Sequence, residues 1–461
     1  MANVLCPLDG RYQLQTTPLR NVMGEQSFTS ARVRAEREWF KLLSTLGLPQ
    51  FAKLSAAEEK ILFVPLTQTD FDLIYALEHT GYKKIAPTRH DVKAIEYFLR
   101  IKLEKTSLKN RLNWLHFALT SEDVNSVAYA LLLSDGVEKV LLPTLENLRK
   151  TLDKLARKEA HALLLARTHG QAAVPTTFGK EIRVFVSRLA RQIQQLKNQQ
   201  ISCKLGGAVG NFNAHYGAFE KINWPKVAQK LVNNLNKNRR IKLFLSPVTT
   251  QVDNRDSYAE LFDNLRRTHI ILLDFCRDMW QYISAGLVAQ QAVKGEVGSS
   301  TMPQKVNPID FENAEGNLQL ANALLTLFAE KLPVSRLQRD LSCSTVLRNI
   351  PVAFGYALVA YTSILKGLSK ISFHKQNALA ELRSHPEIIA EGLQTILRAE
   401  GFLEAYETLK NFTRGKAVTA QLLAEFIDGL NVSAPVKMRL HKLTVENYTG
   451  IASKLAEGNN D

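Results

Sequence analysis

Apolar residues return every three or four positions over runs too long for a compact α/β domain. Between Glu138 and about Leu165 they fall at Leu141, Leu142, Leu145, Leu148, Leu152 and Leu155. Ala31 to Leu46 is amphipathic in the same way, and residues 179–204, 256–292, 309–331 and 346–370 repeat the pattern. Several of these runs exceed 20 residues. A helix of that length with one apolar stripe must bury the stripe against other helices. The spacing therefore predicts an all-α chain built around a long helical bundle. Alternating β-type runs are few, the best short ones being Lys242 to Leu245 and Val248 to Val252.

Glycine and proline punctuate the chain at 206–210 (GGAVG), 295–298 (GEVG), Pro87, Pro175, Pro303 and Pro308. A tail of shorter helices, about 376–460, is interrupted at Gly401, Gly415, Gly429 and Pro435. These breaks suggest three domains: 1–112, a central helical bundle over 113–368, and a C-terminal helical domain over 369–461. No internal repeat or low-complexity segment is present.

A length of 461 residues supports several domains and a sizeable core. The four cysteines lie too far apart for a zinc pattern and read as reduced thiols. The opening MANVLCPLDGRYQ lacks a signal peptide's basic-then-apolar order, so a cytoplasmic chain is expected. The least polar stretch, Arg348 to Lys366, carries Asn349, Thr362 and Ser363 and is short for a bilayer. It is expected as a buried helix, with no membrane segment. The net charge of +15 admits an anionic substrate or a nucleic acid. Its densest run, Asn236 to Lys242, comes with no nucleic-acid motif and reads as a solvated loop or helix end.

Three segments carry chemistry. Residues 298–308, GSSTMPQKVNP, set hydroxyls, a lysine and an amide between glycines and a proline. Such a loop can move and can aim backbone N–H groups at an anion. Arg167-Thr168-His169-Gly170-Gln171 offers an imidazole suited to proton transfer, expected at the end of a long helix. Thr120-Ser121-Glu122-Asp123-Val124-Asn125 reads as a helix N-cap with acids in the first turn, which is also an anion-binding position.

These strings resemble the three active-site regions of the fumarase/aspartase superfamily, GSSxMPxKxN being the most specific. Further segments resemble its adenylosuccinate lyase family, in the longer bacterial form: Asp9-Gly10-Arg11-Tyr12, Thr88-Arg89-His90-Asp91-Val92, Thr249-Thr250-Gln251, Arg339-Asp340-Leu341 with Ser344 and Arg348, GGAVGNFNAH at 206–215, and residues 298–317. The likeness runs from about residue 7 to 450.

The resemblance implies a three-domain, all-α fold and a homotetramer whose sites combine segments of different subunits. It implies β-elimination of fumarate from adenylosuccinate, giving AMP, and from SAICAR, giving AICAR. Ser299 would be the general base, His169 the general acid, His90 its assistant, and Lys305 a stabiliser of the carboxylate charge. Arg11, Tyr12, Arg89, Asp91, Thr120, Ser121, Gln251, Asn307, Asn313, Arg339, Ser344 and Arg348 would bind substrate. Arginine forks suit a ligand with one phosphate and two carboxylates. No metal or organic cofactor is implied.

Two positions depart from the family pattern around these residues. HGQAA stands where HGQPA is usual, and Gln304 stands where MPHK is usual. MPQK is frequent in argininosuccinate lyases, which keeps that activity as the nearest alternative. Residues 81–87 look like a small insertion before the His90 segment. A catalytically silent crystallin-like protein is the alternative of another class, although Ser299, Lys305 and His169 are all present.

Overall fold

The computed structural model describes residues 3–291, 302, 304–415 and 417–458. Helices dominate it: α1 (Gln13–Met23), α2 (Glu25–Leu43), α3 (Ala56–Leu62), α4 (Gln68–His79), α5 (Asp91–Leu103), α6 (Ser121–Gly136) and α7 (Leu142–Lys158). After them come α8 (Phe178–Lys197), α9 (Asn213–Ala218), α10 (Trp224–Leu235), α11 (Asp256–Ser284), α12 (Ile309–Lys331), α13 (Ser342–Leu347) and α14 (Ile350–Leu368). Short helices α15 (Lys375–Arg383) to α20 (Ala452–Glu457) form the tail. Strands pair only in twos among the described residues: β1 (Leu163–Thr168) with β2 (Gln171–Thr177), β3 (Gln200–Cys203) with β4 (Lys242–Leu245), and β5 (Val288–Gln290) with β6 (Ile371–Phe373). The all-α expectation holds, and α12 has the bounds its periodicity gave.

The chain forms two compact units, one from residues 1–145, 192–270 and 316–362, the other from 146–191, 271–315 and 363–461. Each takes part of the five helices α7, α8, α11, α12 and α14, which have 17 to 29 residues.

In the first unit α6 is the interior helix. Its start is fixed by a capping box between Thr120 and Asp123, and 13 of its 16 residues are buried. Gly136 lets α1 approach closely, because a Cβ there would lie 2.2 Å from the Met23 sulfur. Trp39 reaches 0.01 of its free exposure or less beside Trp224 and His215, which supply aromatic walls to the same core. Parallel strands β3 and β4 run in register from Gln200 opposite Lys242.

In the second unit the antiparallel hairpin β1–β2 leaves the end of α7. Phe178 and Gly179 donate backbone N–H groups to the carbonyls of Ala162 and Glu159 at 2.8 and 3.0 Å. These bonds take up carbonyls of the turn that follows α7, where the chain passes from helix to strand. The helical pattern was expected to run on to Leu165. The consecutive Leu163, Leu164 and Leu165 suit either period, and here they form β1. Leu165 packs with Leu382, Ile389, Leu393 and Leu409 of the tail helices, whose apolar faces make this unit's core.

Other boundaries also shift. Residues 179–204 divide into α8 and β3, and α11 stops at Ser284. Lys242–Leu245 is a strand as expected, but 248–252 is a bent loop. There Ser246 Oγ donates to Asp253 Oδ1 at 2.5 Å, and Thr250 Oγ1 donates to the Gln338 carbonyl at 2.9 Å. Side-chain hydrogen bonds of this kind compete with a strand ladder. The basic run at 236–242 leaves the end of α10, yet its Arg239 is buried against Asp135.

The span Ser342–Leu368 is long and apolar enough to cross a membrane by length and composition, but 67% of its apolar window is buried within the protein. It is packed as a core helix.

Candidate active site

The first unit gathers a cluster around the start of α5. His90 is the N-cap, and its Nδ1 accepts the Lys93 N–H at 3.4 Å. In the neutral ring this leaves the proton on Nε2, which lies 3.3 Å from Ser121 Oγ at the start of α6. Thr88 buttresses the turn, its hydroxyl donating to the His90 carbonyl at 3.0 Å. Arg89 has a positive φ of 48°, and its side chain is exposed beside this turn. The loop at 81–87 closes on itself through a Tyr82–Ile85 bridge.

Asp91 faces two arginines. Arg32 NH2 lies 2.5 Å from its Oδ2, and Arg348 NH2 lies 3.4 Å from the same oxygen. Arg32 also donates through Nε to Asn125 at 2.8 Å and stacks on Phe28 at 3.7 Å. Burial lowers the pKa of Arg32, and Asp91 acts in the opposite direction. Arg32 was not among the expected site residues. On sequence it is one more charged residue on an amphipathic helix, 59 positions from its carboxylate.

A second cluster lies at the first turn of α6. Arg339 donates to Gln251 Oε1 at 2.9 Å and stands 3.7 Å from Glu122. Arg255 binds the other oxygen of Glu122 at 2.6 Å. Gln251 in turn donates to the Ala208 carbonyl at 3.0 Å. Burial pushes the Glu122 carboxyl above its usual range, while Arg255 and Arg339 pull it down. Next to it Asp123 is fully buried and ion-paired with Lys204 at 2.7 Å, and it accepts the backbone N–H groups of Thr120 and Gly206. Glu122 and Asp123, read on sequence as helix-start acids, are therefore anchors for two cations and for the 206–210 turn.

Asp340 begins the turn into α13. The Ser342 hydroxyl and the Arg336 and Ser342 backbone N–H groups hold its carboxyl far below the usual range. Ser344 follows, half-buried, with its N–H on the Leu341 carbonyl at 3.0 Å. Arg11 and Tyr12 lie just before α1, Arg11 exposed and Tyr12 half-buried.

The second unit presents His169 at a hairpin tip, not at a helix end. His169 and Gly170 have φ of 52° and 76°, and Thr168 pairs with Gln171. Two successive left-handed residues make the tight turn that suits the twist of a β-hairpin. Arg167 steadies it by donating to the Gly170 carbonyl at 3.3 Å and by pairing with Glu381. The imidazole is thereby exposed at a defined position. Lys305 and Asn307 lie ahead of α12, Lys305 exposed and Asn307 half-buried. Asn313 donates to Ser363 Oγ at 2.8 Å. Ser299 lies outside the described residues.

The residue range 83–322 matches the lyase family model, and 335–449 matches the adenylosuccinate lyase C-terminal model. Adenylosuccinate lyase from Haemophilus influenzae is 44% identical over 458 residues, covering 98% of both chains. The chain belongs to the adenylosuccinate lyase family. The Escherichia coli K12 adenylosuccinate lyase is 42% identical over 98% of this chain and 97% of its own. A solved fumarate lyase from Mesorhizobium sp. BNC1 superposes with a TM-score of 0.74 at 19% identity, covering 96% of each chain. A 3-carboxy-cis,cis-muconate lactonizing enzyme from Pseudomonas putida gives 0.70 at 20% identity, covering 96% of this chain and 95% of that one. These two likenesses establish the fumarase/aspartase-type all-α fold. Adenylosuccinate lyase family membership also answers the lean of Gln304 toward argininosuccinate: the C-terminal match belongs to the adenylosuccinate branch.

Proposed function

We propose that this chain catalyses fumarate release from adenylosuccinate, leaving AMP, and from SAICAR, leaving AICAR. The observation that carries this reading is near-full-length 44% identity with an adenylosuccinate lyase. The clustering of arginines and polar groups at the starts of α5 and α6 supports it.

Ser299 acts as base and takes a proton from the succinyl carbon next to a carboxylate. The electron pair moves onto that carboxylate, and Lys305 and Asn307 stabilise the charge. The carbon–nitrogen bond then breaks as His169 protonates the departing nitrogen. Its place at a rigid hairpin tip suits that task. His90 assists the acid, and Ser121 and Thr120 bind the substrate. Arg348, Arg339, Ser344, Arg89, Asp91, Arg11, Tyr12, Gln251 and Asn313 complete the binding groups.

The working form is a homotetramer in the cytoplasm. On α12, Leu320 and Leu327 are one heptad apart on the same helix face and keep 52% and 48% of their surface exposed. A partner chain would cover such a stripe.

The test is direct. Adenylosuccinate, SAICAR and argininosuccinate are each supplied to the purified protein, and fumarate is followed by absorbance. Release from the first two supports the reading; release from argininosuccinate alone overturns it. Ser299→Ala retains the fold and loses turnover by several orders of magnitude. Near-normal turnover in that variant removes Ser299 as the base.

A further inference from the structure

The first unit holds a cleft of about 390 Å³ that shares no lining residue with the His90 and Gln251 clusters. Its wall is formed by the end of α1, one face of α2, the end of α6 and the loop after α10. That volume is in the range of small-molecule sites.

Its charge is unbalanced. Arg34, Lys139 and Arg239 line the cleft, and Asp135 is the one acidic side chain among its lining residues. Asp135 is already shared, bound by Arg239 at 2.5 Å and by Lys139 at 3.1 Å. Arg239 is buried and also donates to Ser134 Oγ at 2.9 Å, so its position is fixed. The Arg34 guanidinium has no hydrogen bond or ion pair with a described residue. Arg34 is exposed at the cleft, where partial desolvation by the cleft wall and the nearby Arg239 lower its pKa against the pull of Glu38 and Asp135. Neutral polar groups of Asn21, Gln26, Ser27 and Ser30, together with apolar side chains such as Phe71 and Leu132, complete the lining.

Arg32 and Arg34 are two positions apart, about 200° round one helix. Arg32 meets Asp91, and Arg34 lines the cleft. The function proposed above leaves the basic run that supplies Arg239 without a role.

We infer that this cleft is a second anion site, built for a phosphate group, with Arg34 as its free fork and Arg239 and Lys139 as supporting cations. An arginine that makes no ion pair of its own and stands beside another arginine is stabilised by a dianion that bridges them. The phosphate is either inorganic phosphate or the phosphate of a nucleoside monophosphate.

Hydrogen-exchange mass spectrometry of the intact protein tests this, with inorganic phosphate and AMP added separately at matched ionic strength against a chloride control. Slower exchange is expected in peptides covering residues 21–34 and 131–139. Arg34→Gln and Lys139→Gln should each lose that protection while keeping the wild-type rate of fumarate release. Protection by inorganic phosphate supports the site with the free ion as its ligand. Protection by AMP alone supports it with the nucleotide as its ligand. No protection beyond chloride, or equal protection in both variants, overturns the inference. The readout does not depend on turnover, so failure of the lyase reading would leave it intact.

Discussion

Arg32 and Asp91 meet at 2.5 Å within the first unit, with 7% and 17% of their side chains exposed. The pair ties α2 to the first turn of α5, directly after His90. Removing one member of a buried pair strands the other charge and costs about 3–5 kcal/mol. Arg348, 3.4 Å from the same carboxylate, offsets part of that loss. Arg32→Leu should therefore lower the urea midpoint and weaken turnover together. Wild-type stability in Arg32→Leu would show that the pair contributes little.

The hairpin turn makes His169 unusually easy to test. Its φ of 52° is a conformation that asparagine adopts readily and β-branched residues resist. His169→Asn should keep the wild-type melting temperature and lose most turnover. His169→Val should lose turnover and also destabilise the turn. Full activity in His169→Asn would exclude the imidazole from proton transfer.

Gly179 sits where α8 leaves the hairpin. A Cβ there would lie 2.3 Å from the Ala156 carbonyl oxygen and 2.7 Å from the Glu159 carbonyl. Backbone cannot yield as a flexible side chain does, so Gly179→Ala should destabilise by about 1–3 kcal/mol or more. Thermal unfolding measures it, and an unchanged melting temperature would contradict the close approach.

His269 is fully buried between Asn322 and the Tyr361 hydroxyl, at 2.8 and 2.6 Å. Burial lowers its pKa from 6.5 to about 4. The unfolded chain takes up a proton below about 6.5, whereas the folded protein does so only near 4. Stability is thus fully present above the upper value and is lost as pH falls between the two. Over that window the loss is about 3 kcal/mol at 1.36 kcal/mol per unit. His269→Gln should show a shallower decline in urea-unfolding free energy across the same pH range. Parallel pH profiles for the two proteins would refute the assignment.

Much of this protein is legible in local pattern. The period of the apolar residues determines the helices, and for α12 it determines both ends, Ile309 and Lys331. The capping box at Thr120 is visible because its two partners lie three residues apart. The motif segments were enough to indicate the family. Tertiary structure decided what local pattern leaves open. Three successive leucines fit helix or strand, and contacts with the tail helices made them β1, which turned His169 into a hairpin tip. Arg32 and Lys204 were ordinary basic residues until folding brought them to Asp91 and Asp123, 59 and 81 positions away. A buried charge is tolerated only beside its counter-charge, and such partners are brought together by the fold, not by spacing along the chain.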